Sequence, residues 1–119
     1  MNEYEVPAYL EEKLPGIKTD LDKLGNDISV YKAMQTLVQY INNMTLQHDI
    51  RTVKRSFQVA EQIYEKGNTI VKNAVENVIV YSISSMRPLC NEVEWRLLQA
   101  YMPIHIYSLY VQQVLKSNV

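Results

Sequence analysis

His48, His105 and Cys90 are the residues with which this chain could hold a metal or build a nucleophile, and no short spacing joins them. A metal site wants ligands converging at a few residues' separation, as in Glu-x-x-His or Cys-x-x-Cys, and neither pattern occurs. His105 stands between Ile104 and Ile106 directly after Pro103, so its expected role is a partly buried, hydrogen-bonded side chain. Cys90 opens an amphipathic stretch where a small residue packs, and nothing in the sequence brings it a basic partner and a third group to orient that partner. The three glycines stand alone at 16, 25 and 67, so there is no loop to cradle a phosphate. The resulting expectation is a protein that is not an enzyme and uses no cofactor and no metal.

The basic run Arg51, Lys54 and Arg55, followed by a corner at Gly67, invites comparison with a DNA-reading helix-turn-helix. A recognition helix must offer polar and basic side chains to the groove, whereas Val75 to Ile83 is almost wholly apolar. The formal net charge of −1 also argues against a nucleic-acid binder. What remains is recognition of a protein. Nine tyrosines and one tryptophan exceed what a small core takes up easily, and both residue types offer large area with a polar tip. Tyr40, Arg51, Lys54, Arg55, Trp95, Tyr101, Tyr107 and Tyr110 are therefore the candidate interaction surface. The simpler account for most of the tyrosines is a place at the core edge with the hydroxyl in water.

These residues must be positioned by helices, because 3 Gly and 4 Pro leave little room for the turns of a many-stranded sheet. Tyr4, Val6, Tyr9, Leu10 and Leu14 within residues 1 to 14 predict a short amphipathic helix ended by Pro15-Gly16, and Ile17, Leu21 and Leu24 a further turn or two. Tyr31, Met34, Leu37, Val38, Ile41 and Met44 form a helical stripe with Asp27 or Ser29 as cap, and Thr45 to His48 a connection. Asp49 caps a helix carrying Ile50, Val53, Phe57, Ala60, Ile63 and Tyr64. Gly67 then suits a left-handed helix end, and Asn68 the cap of the next helix, from Thr69 to about Ser84. That helix has the widest apolar band, including Ile70, Val78 and Tyr81, and is the expected central element near 69–84. Arg87-Pro88 breaks it. Val93, Leu97, Leu98, Tyr101 and Met102 predict a helix, and Pro103 separates it from another over Ile106 to Leu115. Lys116 to Val119 are expected to fray. The fold class is all-α, a single domain over 1–119 arranged as an antiparallel helical bundle or short hairpin stack of about five to six helices.

Charge is unevenly spread along that chain. Met1 to Asp27 hold seven acids against three lysines, while Ile28 to Ser56 hold four cations against Asp49. The acidic segment 1–27 is expected to pack on the core, and it could lie against the basic helix face, although two solvated faces explain the counts as well. One cysteine cannot form an intramolecular disulfide, the opening Met1-Asn2-Glu3 shows no signal peptide, and Val78 to Ile83 is too short to cross a membrane. A cytoplasmic protein is the expectation.

The segment from Asp49 to Met86, with its KRSFQVAEQIYEKGNTIVKNAVENVIVYSISSM core, resembles a small all-helical bacterial family known only as a domain of unknown function. The likeness lies in a Phe-containing helix, a Gly-Asn corner and a Val-Lys-Asn-Ala-Val helix opening. By analogy of size and fold it implies an immunity-type protein that neutralises a toxin by binding it, and it assigns no site residues. Function is accordingly expected to be that of a protein–protein interaction module, immunity-type or adaptor. The alternative is a small-molecule binder with an apolar pocket between helices around Tyr81, Trp95 and Tyr107. The partner is an unknown protein, with no nucleic acid and no membrane, and a homodimer through the tyrosine-bearing C-terminal helices is a further expectation.

Overall fold

The computed structural model describes residues 1–26 and 28–117, the last of these as backbone only. Asp27, one of the two expected caps, and Asn118 and Val119, in the end expected to fray, lie outside the described residues. Helix α1 (Val6–Lys13) carries Pro7, whose fixed φ suits a first turn, and buries Val6 and Leu10. A 3₁₀ turn over Pro15–Ile17 and α2 (Lys18–Asp22) follow, and Leu14, Ile17 and Leu21 continue the buried row. So short a helix as α2 owes its existence to that burial.

Helix α3 (Val30–Leu46) begins at Ser29, whose Oγ accepts the Lys32 amide at 3.1 Å. Val30, Ala33, Met34, Leu37 and Ile41 face inward, and Tyr31, expected in that stripe, is 41% exposed because Val30 and Ala33 occupy the inner positions beside it. The helix runs through Thr45, expected in a connection, whose buried hydroxyl donates back to the Ile41 carbonyl. It stops at His48, held at φ 60, where the His48 amide reaches Thr45 O at 3.0 Å and the Asp49 amide reaches Met44 O at 2.9 Å. This is a Schellman ending with a histidine in the position that glycine usually takes.

Helix α4 (Ile50–Lys66) is capped by Asp49, which accepts the Thr52 amide, and buries Val53, Phe57, Ala60 and Ile63. Gly67 does not end it in the left-handed form expected; its φ of −74 and ψ of 150 are those of extended chain. Space is the reason for the glycine, since a Cβ there would lie 2.6 Å from Val71 Cγ1 and 2.8 Å from the Ile63 carbonyl oxygen. Asn68 caps the next helix by accepting the Val71 amide at 3.0 Å. The N-terminus docks at the same corner, with the Met1 ammonium on Lys66 O, Met1 O on the Asn68 amide and Glu3 on the Asn68 side chain.

One helical run over 69–86 then crosses the molecule as α5 (Thr69–Ala74), a π-helical segment (Val75–Val80) and α6 (Tyr81–Met86). The i to i+5 spacing of the π turn brings Val80 above Val75, so both are buried together with Ile79 and Ile83. On this segment the Glu76 carbonyl receives the Gln113 side-chain amide at 3.3 Å. The run packs on α3, on α4 and on the last helix, which makes it the central element. Its buried band is narrower than expected, because Ile70 and Tyr81 open to solvent. A 3₁₀ turn at Arg87–Leu89 leads to α7 (Glu92–Tyr101), and Pro103 separates that from α8 (Ile104–Ser117). Helices α1 and α2 cover α3, while α7 and α8 cover α4. The shortest dimension, 19 Å, is about two helix diameters, so most helices keep one face in water. No helix among the described residues is long and apolar enough to cross a membrane.

Candidate functional site

Helix α7 is set in place at its start. Asn91 accepts the Glu94 amide at 2.8 Å, Glu94 Oε1 accepts the Asn91 amide at 3.0 Å, and the resulting capping box fixes which way the helix turns. Glu94 Oε2 also lies 2.7 Å from His48 Nδ1, tying α7 to the end of α3. These hydrogen bonds, the Asn91 amide first and His48 second, hold the Glu94 carboxyl below the usual carboxylate range. With Glu94 turned inward, Trp95, Leu98 and Met102 enter the core.

The adjacent stripe on α7 faces solvent. Val93 is 68% exposed, Leu97 and Tyr101 follow it one turn at a time, and beyond the break at Pro103 Ile104 is 76% exposed at the start of α8. Alongside runs the first half of α4, and Ile50, Arg51, Lys54, Leu97 and Tyr101 enclose a groove of about 290 Å³. Lys54 Nζ sits 4.3 Å from the centre of the Tyr101 ring, so its charge rests on the rim of the groove. The Asp49 carboxyl is held low first by the Thr52 hydroxyl, then by the Thr52 amide, with Arg51 adding to the effect.

A second polar cluster lies further along α4. Glu61, mid-helix and only 8% exposed, accepts the His105 amide on Oε2 and the Ile106 amide on Oε1, both at 3.1 Å. It thereby caps α8, which follows a proline and has no side chain of its own in place to do so. His105 Nδ1 lies 2.9 Å from Glu61 Oε2 and 3.5 Å from Glu65 Oε1, with the Tyr64 ring beside it. These three side chains place ligand-type atoms within 4.8 Å of one another. The capping geometry accounts for the arrangement, because both oxygens of Glu61 receive backbone amides. Sequence spacing could not show the cluster, in which His105 lies 44 residues from Glu61 in the chain. Cys90 is half-buried, and burial first, then the neighbouring Glu94 charge, pushes its thiol up, away from the reactive thiolate.

Of the expected surface residues, Arg51, Lys54 and Tyr101 meet at the groove, and Arg55 is exposed one turn along α4. Tyr107 is 43% exposed on α8. Trp95 does not belong to the surface: it is 5% exposed, with the Arg87 guanidinium 5.6 Å from its ring, because the capping box rotates it inward. Tyr40 is half-buried against Gly16, where an added Cβ would come within 2.9 Å of its hydroxyl, and Tyr110 is half-buried against the core. Val93 and Leu97, two of the residues whose spacing predicted the helix, complete the face on α7. The sequence signal for them is the inward Glu94, which assigns the buried side of α7 to residues 94, 95, 98 and 102.

Fold and face together define a small all-helical domain with an apolar stripe and a cationic edge on one side. The chain belongs to the family described as a domain of unknown function (DUF7674), which matches residues 7–116 and so extends well beyond the segment on which the resemblance rested. No curated protein and no solved structure matches it.

Proposed function

We propose that this protein is a protein–protein interaction module, of adaptor or immunity type, whose partner covers the outer side of α7 and the first half of α4. The observation that carries this is the row Val93, Leu97 and Tyr101, exposed on α7 beside the buried stripe Trp95, Leu98 and Met102. Burying such a row returns about 25 cal/mol for each Å² of apolar surface, and aromatic residues in a groove are where interface energy concentrates. The test is co-expression with the products of neighbouring genes, toxins included, comparing wild type with Val93→Glu/Leu97→Glu. Both positions are exposed, so the variant should keep its circular dichroism and melting temperature while losing co-purification or rescue. A variant that still binds and still rescues removes this face from the function.

A further inference from the structure

We propose that the groove between α4 and α7 takes a helix from a different protein, apolar along one stripe and acidic along the edge that meets Arg51 and Lys54; this rests on the interaction reading above. The charge argument comes first. Among the described residues, Arg51, Lys54 and Arg55 form no salt bridge, Lys54 being held over Tyr101 instead. The nearest acid in sequence, Asp49, directs its two oxygens at the amide and hydroxyl of Thr52; its charge offsets part of that of Arg51 and leaves Lys54 uncompensated. Across the groove on α7, Arg96 bonds Glu92, so that pair adds no net charge. The rim facing the incoming partner is therefore positive next to an apolar floor, and it is complemented by carboxylates flanking apolar side chains.

The chain's own acidic segment does not fill this role. Val6, Leu10, Leu14, Ile17 and Leu21 are buried in its own core, and no acidic residue among the described ones of that segment pairs with the three cations. A second copy fits poorly as well, because a two-fold axis through the groove would oppose Arg51 and Lys54 to their own equivalents. The occupant's backbone must satisfy itself, since helices offer no strand edge to pair with, and a helix does so internally. Val93, Leu97 and Tyr101 recur every four residues, about 6 Å apart along the helix, which suits apolar side chains at i and i+4 on the occupant.

The experiment uses the full ¹⁵N-labelled chain and two synthetic peptides about five turns long. One carries leucines at i and i+4 flanked by glutamates, and its twin has lysine in place of each glutamate. The glutamate peptide should shift the amide resonances of Lys54, Leu97 and Tyr101 and lose about tenfold in affinity between 50 and 500 mM salt. Arg51→Glu/Lys54→Glu should transfer the preference to the lysine peptide. Equal binding of the two peptides, shifts confined to other surfaces, or no shift at about 1 mM peptide would each overturn the acidic partner. Those results leave the interaction face itself to the Val93→Glu/Leu97→Glu comparison. Light scattering that shows a dimer abolished by Arg51→Glu/Lys54→Glu would assign the groove to a second copy instead.

Discussion

The corner between α4 and α5 and the corner between α7 and α8 each stop one helix and start another within two residues, but they satisfy the new helix from opposite sources. At the first, Asn68 caps α5 from its own position in the chain. At the second, Pro103 has no side-chain acceptor to offer, and the two amides at the start of α8 are taken by Glu61, which arrives from the middle of α4. A locally capped helix can begin to form before it docks. A helix capped from another element gains its first hydrogen bonds only once it is docked, so the folding of α8 depends on α4 being in place.

Removing each cap should expose that difference. Glu61→Ala leaves the His105 and Ile106 amides without partners and opens space beside a buried position, which should cost about 3 kcal/mol and lower the melting temperature by about 10 °C. Hydrogen exchange should speed up across α8 while the amides of α3 stay protected. Asn68→Ala should cost only about 1 kcal/mol, the usual loss for an N-cap, with exchange changing at the start of α5 alone. Equal losses from the two substitutions, or exchange spreading evenly over the chain, would dissolve the contrast.

Gly67 gives the next largest effect, and it separates two reasons for a glycine at a corner. A left-handed glycine tolerates asparagine better than alanine, because asparagine adopts that conformation readily. At φ −74 the backbone suits any residue, and the obstacle is the approach to Val71 and to the Ile63 carbonyl. Gly67→Ala should therefore cost about 2 kcal/mol, as overpacking does, and Gly67→Asn at least as much. Recovery of stability in the asparagine variant, followed by chemical denaturation, would restore the left-handed explanation.

What was legible in the sequence follows the same division. Ser29, Asp49, Asn68 and the Pro103 break all act on residues within three or four positions, and each marks a helix boundary found in the structure. The central place of the run over 69–86 was also legible, because a band of Val and Ile that wide needs neighbours on more than one side. Its π segment was not, since nothing in the residue types specifies which turn widens. On α7, two apolar stripes lie side by side, and hydrophobicity alone cannot choose between Val93-Leu97-Tyr101 and Trp95-Leu98-Met102. The choice is made by the capping box and by His48 from the end of α3. The pairing of Glu61 with the start of α8 left no trace in either local pattern.

The smallest expected effect concerns the start of α7, which draws on both sources at once: Asn91 beside it in sequence and His48 from another corner. The Glu94 carboxyl is held below its ordinary 4.5, with the Asn91 amide the larger cause and His48 the next. Because the folded value lies below the unfolded one, the ionised carboxylate stabilises the fold above about pH 4.5, and that contribution disappears as pH falls through the folded value. Wild type and Glu94→Gln should therefore melt together in strong acid and separate as pH rises past the carboxylate range, wild type being the more stable. In a His48→Gln background most of the separation should persist, since the local amide supplies the larger share. If instead the separation vanished there, the contact across the fold would be the one that fixes α7, and this junction would belong with the α7–α8 corner, where distant residues rather than neighbours set the helix start.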